Sequence, residues 1–153
     1  MKTRFVFVLG AALTAVLAQG KVFQAKDYGI APGKSFSAAD VARLLADVKA
    51  AGTEEAHTVR FAPGTYDIGH EQCQARTWFI SNHDQDNPKR VFLPLEGLKG
   101  VTVEGEGAFF NLRGRIIPVG IWDSEAVTLS GVTVDYETPP LTQIDFTAVD
   151  AAA

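Results

Sequence analysis

Gly100-Val101-Thr102-Val103-Glu104-Gly105-Glu106-Gly107 lies inside a longer stretch, Val91–Tyr136, whose reading decides the fold. Short β-rich runs recur there: Val101-Thr102-Val103, Val119-Gly120-Ile121-Trp122, Val127-Thr128-Leu129 and Val132-Thr133-Val134. Glycines and acids punctuate them, as in Glu104-Gly105-Glu106-Gly107 and Asp123-Ser124-Glu125. Each run is too short to bury a face alone, but runs stacked at a strand spacing of about 4.8 Å share one continuous core. The expectation is an all-β fold: successive coils of a right-handed parallel β-helix, with the rest of the chain starting, capping or decorating it.

Outward toward the N-terminus lies Thr58-Val59-Arg60-Phe61-Ala62-Pro63-Gly64-Thr65-Tyr66-Asp67-Ile68. Val59 and Phe61 alternate as in a strand, Pro63-Gly64 turns, and Tyr66 and Ile68 alternate again. Before it, Ser37-Ala38-Ala39-Asp40 fits a helix-capping pattern. Val41, Leu44, Leu45 and Val48 follow at helical spacing, and Gly52 ends the run. An amphipathic helix over Ser37–Ala51 is expected to bury that stripe and cap the first coil. Turn, helix and V-x-F-x-P-G-T-Y together resemble the N-terminus of the pectate-lyase-like β-helix superfamily. That resemblance implies a fold and not a chemistry, because the fold hosts lyases, hydrolases and binding proteins.

The chain has 153 residues and a formal charge of −4, enough for one domain and the wrong sign for a nucleic-acid surface. Lys2 and Arg4 precede the apolar run Phe5–Val16, and small residues follow at Ala18 and Gly20. This is the pattern of a secretory signal peptide over residues 1–20, too short for a comfortable membrane span. The mature protein is expected to be exported to the periplasm or the extracellular space, with no membrane span after cleavage. The single cysteine, Cys73, has no internal disulfide partner and reads as a buried, inert thiol. Residues 21–153 are read as the N-terminal part of a longer β-helix enzyme, since Ala151-Ala152-Ala153 ends the chain without a visible cap for its last coil.

Several residue groups bear on chemistry. Asn82, Asp84 and Asp86 offer oxygens suited to Ca²⁺, but the loop lacks the glycine and glutamate that an EF-hand needs, and an Asx-rich loop bonding its own backbone fits as well. His70, Cys73 and His83 lack the paired spacing of a zinc site. His57 reads as a surface residue ahead of its strand. Asp135 and Glu137, at i and i+2 on a strand, stand about 6.8 Å apart along the backbone. That falls in the window of about 6.5–9.5 Å for the two carboxyls of an inverting glycosidase. Solubility is the plainer role for such acids. Trp122 is either a platform for the apolar face of a sugar or a core residue. Arg113 and Arg115 either bond sugar hydroxyls or bridge acids between coils.

The run Phe79-Ile80-Ser81-Asn82-His83-Asp84-Gln85-Asp86-Asn87-Pro88-Lys89-Arg90 carries a narrower resemblance. With Pro94-Leu95-Glu96, Gly114-Arg115-Ile116-Ile117-Pro118 and Val132-Thr133-Val134-Asp135-Tyr136, it resembles glycoside hydrolase family 110, exo-α-1,3-galactosidases that include enzymes acting on the blood-group B antigen. The resemblance implies an inverting hydrolase, without metal or other cofactor, acting on galactose-terminated glycans. It also implies chains several times longer, with catalytic carboxylates beyond residue 153. Asp135 and Glu137 are therefore only a secondary catalytic pair. His83, Asp84, Asp86, Arg115, Trp122 and Asp135 are the candidate substrate contacts. Another polysaccharide-active β-helix enzyme, a polygalacturonase-like hydrolase or a lyase, and a non-catalytic glycan-binding solenoid are the alternatives.

Overall fold

The computed structural model describes residues 20–79 and 87–139. Eight strands appear in chain order: β1 (Val22–Gln24), β2 (His57–Arg60), β3 (Gly64–Ile68), β4 (Gln74–Arg76), β5 (Lys89–Glu96), β6 (Val101–Leu112), β7 (Ile117–Trp122) and β8 (Thr128–Tyr136). The helix α1 (Ala38–Ala50) and two 3₁₀ turns, Ala25–Tyr28 and His70–Gln72, complete the described elements.

The strands form two sheets. In the five-stranded sheet the order is β1-β2-β6-β3, and β8 also pairs with β6. The twelve-residue β6 serves two partners in succession: His57 faces Val101 at its start, and Ile68 faces Leu112 at its end. Phe61-Ala62-Pro63 turns between β2 and β3 where β6 carries Gly105-Glu106-Gly107, and the β6–β8 register shifts between Glu104 and Ala108. Gly131 permits the tight passage on β8: its φ is +70°, and a Cβ there would lie 2.9 Å from the Glu106 nitrogen. The three-stranded sheet runs β4-β5-β7, with β4 antiparallel to β5 and β5 parallel to β7.

This corrects the expected fold class. The described residues do not form an all-β, right-handed parallel β-helix; they form two small sheets, one of them mixed, with a helix in the same core. The antiparallel β4–β5 pair breaks the pattern because the chain reverses between Arg76 and Lys89 and brings the two segments edge to edge. The class departs from all-β because Val41, Leu44 and Val48 of α1 join strand residues in one buried cluster.

The helix itself follows from local sequence. Ser37 caps it, and the Asp40 carboxylate accepts from the Ser37 backbone N–H at 2.9 Å and from its Oγ at 2.8 Å. Those two bonds hold the Asp40 carboxyl below its ordinary range. Leu45 is only half-buried. At the centre of the core Phe61, Tyr66, Phe92 and Phe110 meet edge to face, with Phe110 5.2 Å from both Phe61 and Phe92 and 5.6 Å from Tyr66. Each such pair is worth about 0.5–1.5 kcal/mol beyond area burial.

Register does not guarantee burial. Val101 and Val103 are buried and Val127 and Val132 pack partly against the core. Leu129 and Val134, in register with buried Val103 and Phe110, are 40% and 38% exposed. They lie on β8, whose outer edge has no neighbour among the described residues.

Candidate functional site

Alternation along β2, β3, β6 and β8 sends one set of side chains into the core and the other outward. The outward set lines up across strands. Thr58, Thr102 and Thr128 make one row, and Arg60, Glu104 and Ser130 the next. Beyond the turn, Thr65, Phe109 and Thr133 align, followed by Asp67, Asn111 and Asp135. Arg60 donates to Glu104 Oε2 from Nε at 2.9 Å and from Nη2 at 2.8 Å. Asn111 Nδ2 donates to Asp67 Oδ1 at 2.8 Å. A groove of about 700 Å³ opens beside the second row, lined by Arg60, Pro63, Glu104, Glu106 and Ser130 among others.

None of the described sequence candidates lines this groove. Asp135 ends the fourth row, and its Oδ1 accepts from the Tyr136 N–H at 2.8 Å. Glu137 falls just past the end of β8, where its own N–H donates to the Leu112 carbonyl at 3.0 Å. The pair is exposed, and its second member lies in a bend rather than on the strand. Arg115 is exposed in the bend ahead of β7. His83, Asp84 and Asp86 lie outside the described residues, and so do Asn82 of the calcium reading and residues 1–19 of the signal peptide.

Trp122 is not a core residue. It stacks on Trp78, with centroids 5.6 Å apart and planes 13° from parallel. The Trp78 backbone N–H donates to Asn87 Oδ1 at 3.1 Å. On the neighbouring strand Glu96 is in register with Trp122 and accepts from Arg76 Nε at 3.1 Å.

The other candidates resolve locally. Cys73 is buried, its Sγ donates to the Gly69 carbonyl at 3.2 Å, and burial pushes the thiol up to about 12. That is the reverse of the thiolate a metal requires. Among the described residues no three His, Cys, Asp or Glu side chains are grouped to hold a metal ion. His57 is 3% exposed rather than a surface residue; its Nδ1 accepts from the Lys21 N–H at 3.1 Å.

Sequence reasoning missed the Arg60–Glu104 bond. The signal was available: Thr58-Val59-Arg60 and Thr102-Val103-Glu104 share the pattern Thr-Val-charge, and the structure pairs them residue for residue.

Comparison with known proteins gives the class. The chain is similar to alpha-1,3-galactosidase B of Phocaeicola vulgatus, 38% identical over 132 residues that make up 85% of this chain. It is 35% identical over 150 residues to alpha-1,3-galactosidase B of Bacteroides fragilis, covering 94% of this chain. The protein of the same name in Akkermansia muciniphila is 33% identical over 119 residues. No protein-family model matches the chain. The chain belongs to the family of these alpha-1,3-galactosidases, as the resemblance in its sequence implied. It spans 22% and 25% of the length of the first two relatives.

Proposed function

We propose that the chain serves the hydrolysis of terminal α-1,3-linked galactose from glycans, with inversion at the anomeric carbon. The observation that carries this is the similarity to proteins named alpha-1,3-galactosidase B across 85% and 94% of the chain. Inversion is a single displacement. One carboxylic acid protonates the leaving oxygen while one carboxylate activates water on the opposite face of the ring, the two standing about 6.5–9.5 Å apart. That pair is read as lying outside residues 1–153, with Asp135 and Glu137 as the local alternative. His83, Asp84, Asp86, Arg115, Trp122 and Asp135 are read as sugar contacts. No metal enters the reading, and export follows from the N-terminal pattern of the sequence.

The test uses the 153-residue chain and a polypeptide of the relatives' length that carries it. Each is assayed on α-1,3-galactobiose and blood-group B trisaccharide, with anomeric configuration followed by NMR. The longer polypeptide should release β-galactose, and the short chain should be inactive. Release of the α-anomer as first product refutes inversion, and no release refutes the function. Turnover by the short chain that Asp135→Asn or Glu137→Gln abolishes would move the reacting pair here.

A further inference from the structure

The indole pair on the three-stranded sheet is anchored at one end and open at the other. Gly120 and Trp122 share a strand face, and Val119, of opposite parity, packs against the core. Trp78 lies across Gly120, where a Cβ would meet its ring at 2.2 Å. Only glycine leaves room for the ring to settle there. Trp78 is 6% exposed, whereas Trp122, stacked on it and carried by a strand with no outer neighbour among the described residues, is 46% exposed. Trp122 is braced by this buried partner.

Polar groups stand beside it. Glu96 neighbours Trp122 across the β5–β7 ladder, about 4.8 Å away at the backbone. Arg76 holds Glu96 by one oxygen, Oε2, and is itself held by Gln74 Oε1 at 2.8 Å. The carboxylate is thus oriented through Oε2.

A ring face is electron-rich and attracts weakly polarised C–H groups. The axial 4-hydroxyl of galactose gathers the hydrogens of C3, C4 and C5 on one side, which makes a flat apolar face. A glucosyl ring divides those hydrogens between its two faces. We propose that Trp122, braced by Trp78 and flanked by Glu96, is a subsite for a terminal galactosyl residue. The ring's apolar face lies on the indole, and Glu96 accepts from its hydroxyls. The identity of the sugar rests on the galactosidase reading; the existence of the braced platform does not.

The chain contains two tryptophans, both in the stack, so indole emission reports the site directly. α-1,3-Galactobiose should shift the emission of the 153-residue chain saturably, and an α-glucosyl disaccharide should bind at least about tenfold more weakly, a gap of about 1.4 kcal/mol. Trp122→Ala should abolish the response, Trp122→Phe should retain part of it, and Glu96→Gln should weaken binding about tenfold by the same conversion. In the polypeptide of the relatives' length, Trp122→Ala should raise KM about tenfold while kcat changes less. An emission unmoved by galactobiose, in a chain whose near-UV dichroism shows the stack formed, overturns the subsite. An unchanged KM in Trp122→Ala overturns it too. Neither outcome touches the galactosidase reading, which fails only if the longer polypeptide releases no galactose. A saturable response without galactose release would uphold the subsite and sink that reading.

Discussion

Gly120→Ala isolates the packing of Trp78. The added Cβ would lie 2.2 Å from Cζ3 and 2.7 Å from Cη2 of that ring. Carbon atoms rest about 3.5–4.0 Å apart, so the ring must withdraw by about 1.5 Å. Overpacking of this kind costs about 1–3 kcal/mol. Withdrawal also weakens the stack on Trp122, worth about 0.5–1.5 kcal/mol. Against this, alanine restricts the unfolded chain and returns about 0.4–1 kcal/mol. The net loss is about 1–3 kcal/mol, or a fall in Tm of about 3–10 °C for a chain of this size. Urea titration measures the loss, and near-UV dichroism follows the indole pair. In the double variant with Trp78→Ala the obstruction is gone, so Gly120→Ala should then be neutral or slightly stabilising. An unaltered Tm and dichroism in the single variant, or an undiminished cost in the double, would refute the placement of Trp78 on Gly120.

Other perturbations test other parts of the fold. Phe110→Ala, at the meeting point of three rings, should cost about 3–5 kcal/mol in urea, and a loss under about 1 kcal/mol would contradict so central a position. Ser37→Ala should cost about 1 kcal/mol by removing the helix cap. Because the Asp40 carboxyl is lowered, chiefly by the Ser37 hydroxyl, its stabilising contribution is complete above the unfolded value of about 3.9. That contribution fades as pH falls through the lowered folded value, and Asp40→Asn should flatten this part of the acid limb of a Tm–pH curve. Cys73, buried and with its thiol pushed up to about 12, should resist iodoacetamide at pH 8 until urea unfolds the chain; rapid native labelling would contradict its burial. EDTA should leave galactoside hydrolysis by the longer polypeptide unchanged, and a loss restored by Ca²⁺ would revive the reading of Asp84 and Asp86 as ligands.

What was legible in the sequence was local. The capping box is written in four consecutive residues, and the helix stripe repeats at a fixed interval, so Ser37, Asp40, Val41, Leu44 and Val48 stand where the pattern puts them. The strands flanking Pro63-Gly64 were legible for the same reason. What was not legible depends on distant partners. Gln72 reads as one polar residue in a polar run, yet it is buried. It accepts from the Gly69 N–H at 2.8 Å and donates to the Phe36 carbonyl at 2.8 Å. His57 reads as surface because nothing near it in sequence shows that Lys21 and Phe23 will cover it. The antiparallel β4–β5 pair depends on where the chain returns after residue 79, and strand-like runs carry no record of direction.

For the candidate site the sequence supplies residue types, and the fold supplies their partners. Acids and aromatics are visible in the sequence; which acids remain available is set by cross-strand geometry. Glu104 is bound to Arg60, Asp67 to Asn111, Glu96 to Arg76 and Glu125 to Lys99. An exposed pair such as Arg60–Glu104 adds little stability, about 0–1 kcal/mol, but it fixes a rotamer, and a fixed carboxylate can hold a hydroxyl in one orientation. A separation of about 6.8 Å between Asp135 and Glu137 requires a strand continuing through both; β8 ends at Tyr136, and the Glu137 N–H is tied to Leu112. Their separation is therefore set by a bend, and the strand rise no longer supports them as the reacting pair. Under the proposed function, the geometry of this chain accordingly suits binding and orientation of a galactoside better than the proton transfers themselves. That is why the substitutions with most to reveal here should act on KM, and why a first-order effect on kcat from Asp135→Asn would be the more disruptive result.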